Sequence, residues 1–298
     1  MAVDTAFASA APPSPLVAFW RSFRENRGAV GGLFVVALII IVAILANVLA
    51  PHNPLEQYRE FTKLGPVWTE KGNWSFVLGT DALGRDMLSR LMYGARVSLF
   101  IGVMVMGFSL VFGIVIGLSA AWFGGLYDVI VLRIMDLVMA IPSLVLAILI
   151  MAVLEPSLIN TIIAVTIVYL PRYVRLVRAS ALAELSRDYV TAAKVSGVKP
   201  LRLMTRTVLP NCMSPLIVQA ALGVSDAILE AAALGFLGLG AQPPTPEWGS
   251  MLADSRDLIQ SHPWVMAFPG LAILVTVVAI NLMGDGLRDA LDPKLKRS

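Results

Sequence analysis

The chain has 298 residues, of which 57% are apolar and only 14% charged. Soluble domains carry about 45–50% apolar and about 25% charged residues, so these side chains cannot cover a soluble globule, and the same balance excludes a disordered chain. A formal net charge of +3 is too small for a nucleic-acid-binding surface, and the single cysteine, Cys212, excludes an internal disulfide framework. The composition is that of an all-α polytopic membrane protein.

A helix needs about 20 mostly apolar residues to cross about 30 Å of hydrocarbon. Residues 1–29 read as a tail, with a short Ala/Pro/Ser stretch at 8–15. The first apolar run, 30–49, is entered through Arg21, Arg24 and Arg27 and closed by Pro51. It is too long for the apolar region of a signal peptide, about 7–15 residues, and is expected to be retained. A polar loop follows to residue 97, and the second run, 98–121, holds Gly113 and Gly117 as a GxxxG pair. Such a pair lets two helix backbones approach closely in lipid. The third run, 128–154, carries Arg133 and Asp136 in its first turns; the fourth starts at 158 and continues past Pro171 into a basic segment. Runs 214–237 and 265–284 complete six predicted spans.

With six spans both termini share one side. Sixteen of the 23 Lys and Arg residues fall on the side that holds the termini and residues 171–213. The positive-inside rule places that side in the cytoplasm. The expected organisation is a cytoplasmic tail (1–29), a first span with its external loop (30–97), a five-span core (98–285) with the loop 171–213, and a second cytoplasmic tail (286–298).

The loop 171–213 is the most informative segment. Arg172, Arg175 and Arg178 recur every three residues and share one helical face at the membrane edge, which reads as snorkelling and lipid head-group contact. Asp188 is the expected N-cap of a short helix over 189–196, and Gly197 the glycine after it that permits φ > 0. Pro200 suits the start of a second short helix, 201–208, which Pro210 is expected to end. Two short helices joined by a tight turn make a rigid lever.

Ala192-Ala193-x3-Gly197-x9-Thr207-x-Leu209-Pro210 resembles the EAA motif of ABC-importer permeases, E-A-A-x3-G-x9-I-x-L-P, with Thr191 at the Glu position and Thr207 at the Ile position. Leu78 to Arg90, with Gly79, Asp81, Gly84, Arg85 and Asp86, resembles the segment before the second helix in peptide and nickel importers. Ala233 to Gly240, Gln242 to Gly249 and Asn281 to Asp289 resemble the C-type permease subunit of the dipeptide/oligopeptide/nickel family. The resemblance covers nearly everything after residue 18. It implies a type I ABC-importer permease fold in a bacterial inner membrane. It further implies a second homologous permease, two cytoplasmic ATPases that bind ATP and Mg, and a periplasmic peptide-binding protein. The coupling loop would then comprise Thr191, Ala192, Ala193, Gly197, Lys199, Pro200, Leu209 and Pro210.

Gly79 and Gly84 flanking Asp81 read as a turn in which Asp81 accepts backbone N–H groups. Arg85, Asp86 and Arg90 would then begin an amphipathic helix on the external surface. No GxxxxGK[ST] occurs, so the chain itself is expected to bind no nucleotide or other cofactor and to be no enzyme. Two separated histidines, His52 and His262, give no metal site, and no catalytic residues are assigned. Asp226 and Glu230 lie one helical turn apart in the fifth run, at a depth where ionisable groups face a bundle interior or a watery cavity. They are the candidate pathway residues, with Arg133 or a partner subunit as the expected source of a counter-ion, and Arg133 and Asp136 as an expected interface pair. The alternatives are an oligopeptide or nickel permease, or a stand-alone carrier using Asp226 and Glu230 as ion sites.

Overall fold

The computed structural model describes residues 14–291; residues 1–13 and 292–298 of the two expected tails lie outside the described residues. Among the described residues every regular element is helical. A short helix, α1 (Pro15–Glu25), precedes α2 (Arg27–Ile44), which the one-turn α3 (Ala46–Leu49) extends. Asn26 separates α1 from α2 by accepting the Ala29 N–H at 3.1 Å. After an irregular loop come α4 (Met87–Phe123), α5 (Gly125–Met139), α6 (Ser143–Leu154) and α7 (Leu158–Leu185). The loop helices α8 (Asp188–Val195) and α9 (Pro200–Leu203) lead into α10 (Leu209–Phe236), followed by α11 (Trp248–Asp254) and α12 (Trp264–Leu291).

The expected third span is broken. α5 and α6 meet at 92°. Pro142, with φ −52° and ψ 135°, has no N–H to continue the ladder, and the residue before a proline is pushed out of the helical region. Among the described residues four helices are long and apolar enough to cross a membrane, and the bent α5–α6 pair makes five. α7, at 28 residues, also has the length of a span but carries the basic segment. Pro171 lies buried inside α7 without ending it.

The second correction concerns Pro210. It does not end a short helix: it is the second residue of α10, directly after a π-helical turn that lets the helix continue past it. A π-helical turn over Met204–Val208 joins α9 to α10, so the chain is helical from Pro200 to Phe236.

α4 and α7 form the centre of the bundle. The expected close approach at Gly113 and Gly117 is realised: a Cβ on Gly117 would lie 2.7 Å from the Val174 carbonyl oxygen, and one on Gly113 would lie 2.4 Å from the Tyr173 Cβ. Only glycine lets the two backbones meet there. Ile101, Val105, Met151, Val165, Tyr173 and Leu234 join α4, α6, α7 and α10 in one buried cluster. A second cluster, including Leu118, Val177, Val190, Leu203, Val208 and Leu216, fastens the loop helices to the bundle. The outer faces of α2, α4 and α5 expose large apolar side chains such as Phe34, Val115 and Leu137, as lipid-facing surfaces do.

Candidate functional site

The loop helices are built as a turn on a buried base. α8 begins one residue before the expected position: Arg187 is its N-cap, in extended conformation, and Asp188 is its first residue, well placed for the positive end of the helix dipole. At the other end the Gly197 N–H reaches the Lys194 carbonyl at 3.0 Å and the Val198 N–H the Ala193 carbonyl at 3.2 Å. Gly197 has φ +76°, as the turn requires. Pro200 starts α9. Val190, Leu203 and Val208 are fully buried beneath the turn, while Val195 and Leu201 at its tip are 85% and 77% exposed. Thr191, Ala192, Lys199 and Pro210 are exposed, and Ala193 and Leu209 half-buried.

Side-chain ties absent from the sequence reading hold this unit to the spans. The Tyr189 hydroxyl donates to Glu184 at the end of α7 and accepts from Asn211 Nδ2 at 3.1 Å, on α10. Asn211 also donates to the Thr207 carbonyl at 2.7 Å. The Glu184 carboxylate beside Tyr189 pushes its phenol up to about 12. Nothing in residue spacing reveals these bonds, because they depend on how α7, α8 and α10 converge.

The three arginines of α7 do not serve chiefly as lipid anchors: each meets a carboxylate. Arg172 Nη1 lies 3.3 Å from Asp226 Oδ2. Arg175 pairs with Asp136 on α5, and Arg178 forms a two-pronged pair with Asp128 near the start of α5. The expected Arg133–Asp136 pair is therefore replaced, and Arg133 makes no ion pair among the described residues. Nor is it the counter-ion of Asp226. The only sequence signal for these partners was the placement of Asp128 and Asp136 within an otherwise apolar run.

Asp226 and Glu230 occupy one face of α10, and the Arg172 guanidinium stacks over the Tyr169 ring at 5.1 Å. The Arg172 and Asp226 side chains are 50% and 43% exposed at the depth of the spans. Charged groups there do not face hydrocarbon, so this face belongs to a protein–protein contact or a water-filled path. Oε1 of Glu230 is buried without a hydrogen-bond partner.

At the opposite end the loop motif folds as expected around Asp81. Gly79 and Gly84 have φ +75° and +77°, and Asp81 Oδ1 accepts the Leu83 and Arg85 N–H groups at 2.9 Å each. Arg85 Nε donates to Asp81 at 2.6 Å, and its Nη2 reaches Asp254 of α11 at 3.2 Å. No separate amphipathic helix follows: Asp86 caps α4 itself, accepting the Ser89 N–H at 3.0 Å, and Arg90 is buried within the chain. The capped α4 carries straight into the membrane, so these charges face the packed loop and not the surface. Glu247, within the Gln242 to Gly249 segment and without an expected role, is buried and caps α11 by accepting the Gly249 and Ser250 N–H groups, both at 2.8 Å. Burial holds its carboxyl above the usual carboxylate range despite these donors and the Ser98 hydroxyl.

A helical bundle with apolar outer faces, a projecting helix–turn–helix loop and a half-exposed charged face is built as a membrane permease domain. Residues 113–297 match the family of binding-protein-dependent transport system inner membrane components, and residues 14–66 match the N-terminal TM domain of oligopeptide transport permease C. The chain belongs to this family of transport-system permeases. It is 58% identical over 286 residues to the di/tripeptide transport system permease protein DppC of Pseudomonas aeruginosa, covering 96% of this chain and 94% of that protein. It is 55% identical over 286 residues to the dipeptide transport system permease protein DppC of Escherichia coli K12, covering 96% and 95%. An inward-facing structure of the MetNI methionine ABC transporter has a chain of the same fold, with a TM-score of 0.58 at 20% identity, covering 69% of this chain and 98% of that chain.

Proposed function

We propose that the chain is one of two homologous permease subunits of an ATP-driven importer of dipeptides, set in a bacterial inner membrane with six spans and both termini in the cytoplasm. α7 and the bent α5–α6 pair complete the six. A periplasmic peptide-binding protein delivers substrate to the end that carries Asp81 and Glu247. Two cytoplasmic ATPases bind ATP and Mg and dock on the loop tip. Closure of the ATPases pushes α8 and α9, and the spans rock between inward and outward states that differ in affinity for the substrate. Asp226, Glu230 and Arg172 line the path between the two permeases. The dipeptide relatives carry the choice of substrate over oligopeptides or nickel.

The observation that carries the reading is the loop itself: a glycine turn with an exposed apolar tip, bolted to the bundle by a buried base. A stand-alone ion-coupled carrier has no use for such a lever, and Arg172 already occupies Asp226. The test is Gly197→Val. Open space surrounds the position, so the cost comes from the backbone angle, roughly 1–3 kcal/mol of local strain. The variant is expected to insert, assemble with the second permease and receive loaded binding protein, yet bind the ATPases weakly and transport little labelled dipeptide. Wild-type transport would remove the loop from the coupling role. Uptake of labelled longer peptide or Ni²⁺, and not of labelled dipeptide, would reassign the substrate.

A further inference from the structure

A cleft of about 430 Å³ opens between the last turns of α4 and α9, walled by Ile114, Leu118, Trp122, Leu201, Met204 and Leu209. Two hydroxyls reach it, from Ser119 and Thr205. Both are engaged within their own helices: Ser119 donates to the Ile116 carbonyl at 2.9 Å and Thr205 to the Leu201 carbonyl at 2.8 Å. A cleft whose polar atoms are all satisfied suits a hydrocarbon chain and disfavours a polar ligand. Its wall continues the α4 face exposed at Val111, Phe112, Val115 and Phe123, the face this span turns outward.

A cation stands against the wall. Lys194 Nζ sits 5.6 Å from the centre of the Trp122 ring, and the exposed Arg202 and Arg206 lie on the same short stretch of chain as the lining residues Leu201, Met204 and Thr205. From Tyr189 to Ser225 the chain contains no Asp or Glu. Among the described residues none of Lys194, Arg202 and Arg206 joins the ion pairs that α7 makes with α5 and α10. An apolar slot open to the lipid side, with the unpaired Lys194 against its wall and further cations on the adjoining helix, has the charge and shape of one kind of occupant. We infer that this cleft binds an anionic phospholipid, with an acyl chain between Trp122 and Met204 and the head-group phosphate held by Lys194 and Arg202. The loop lever would then be seated on a lipid.

Trp122 provides the readout. The purified importer complex is reconstituted in phosphatidylcholine bilayers containing phosphatidylglycerol or phosphatidylcholine with brominated acyl chains, and quenching of Trp122 is taken as the difference between wild type and Trp122→Phe. Half-quenching is expected at a clearly lower fraction of the brominated anionic lipid than of the neutral one. The variant Lys194→Gln/Arg202→Gln should erode that preference by about five-fold per cation removed, while Arg21→Gln/Arg24→Gln, on α1, should leave it intact. Equal quenching of the wild type by both lipids overturns the inference, as does an equal loss in the α1 variant, which would reduce the effect to general surface attraction. Loss of the ATPase subunits from the Lys194/Arg202 variant with its lipid preference unchanged also overturns it, and would assign those cations to the ATPase.

Discussion

Arg172, Arg175 and Arg178 on α7 each end on a carboxylate, whereas Lys194, Lys199, Arg202 and Arg206 in the following loop form no ion pair among the described residues. The two sets stand close in sequence and carry the same charge. They differ in what surrounds them. A guanidinium at the level of the spans is costly unless a counter-charge comes with it, so the fold supplies Asp128, Asp136 and Asp226 from two other helices. Beyond the membrane edge water and lipid head groups can compensate the charge, and the loop's cations stay available to other molecules. Paired cations therefore report on the architecture, and unpaired ones on what the loop meets.

The contrast predicts a graded series of substitutions. The largest effect is expected at the least exposed of the three α7 pairs. Arg178 and Asp128 are 24% and 15% exposed, and Arg178→Ala should cost about 2–4 kcal/mol, somewhat less than for a fully buried pair. The thermal midpoint of the purified complex should fall, and Arg178→Gln with Asp128→Asn should recover more than half the loss. A single variant as stable as wild type would mean that the α7 pairs are ornamental. A smaller stability effect, about 0–1 kcal/mol, is expected for Asp226→Asn, because its pair with Arg172 is half-exposed and screened. Dipeptide uptake should nevertheless drop while the complex remains assembled; loss of assembly would make the pair an interface contact instead. The smallest effect belongs to the loop. Lys199→Gln should change stability by no more than about 0.5 kcal/mol, and a larger shift in the melting curve would reveal a hidden partner.

What the residues disclosed in advance follows from how local each feature is. The Gly197 turn and the Asp81 turn are written within a few residues, and both form as read. The Gly113–Gly117 contact was legible as a pair of small residues, although its partner, α7, was not. The break at Pro142 was hidden because apolarity continues across it, and hydropathy along a chain carries no information about the direction of a helix axis. Pro210 misled for the converse reason: a proline stops a helix only where its N–H is needed. The acidic partners of the arginines lie 39 to 54 residues away along the chain. They come within reach because α5 and α10 both pack against α7. The charged face at Asp226 was legible by depth alone, and Arg172 as its partner was not.

The π turn at Met204–Val208 makes the loop tip and the charged face parts of a single rod. At 1.5 Å of rise per residue, Leu201 and Asp226 stand on the order of 40 Å apart along one continuous axis. No loop intervenes to absorb slack. Two compliant joints interrupt the rod, the widened π turn and the helix-internal Pro215, and both lie in the half nearer the tip. Under the proposed coupling, a push on the loop tip would bend the rod at these joints, and the stretch from Leu216 onward, with Asp226 and Glu230 aboard, would move as one arm.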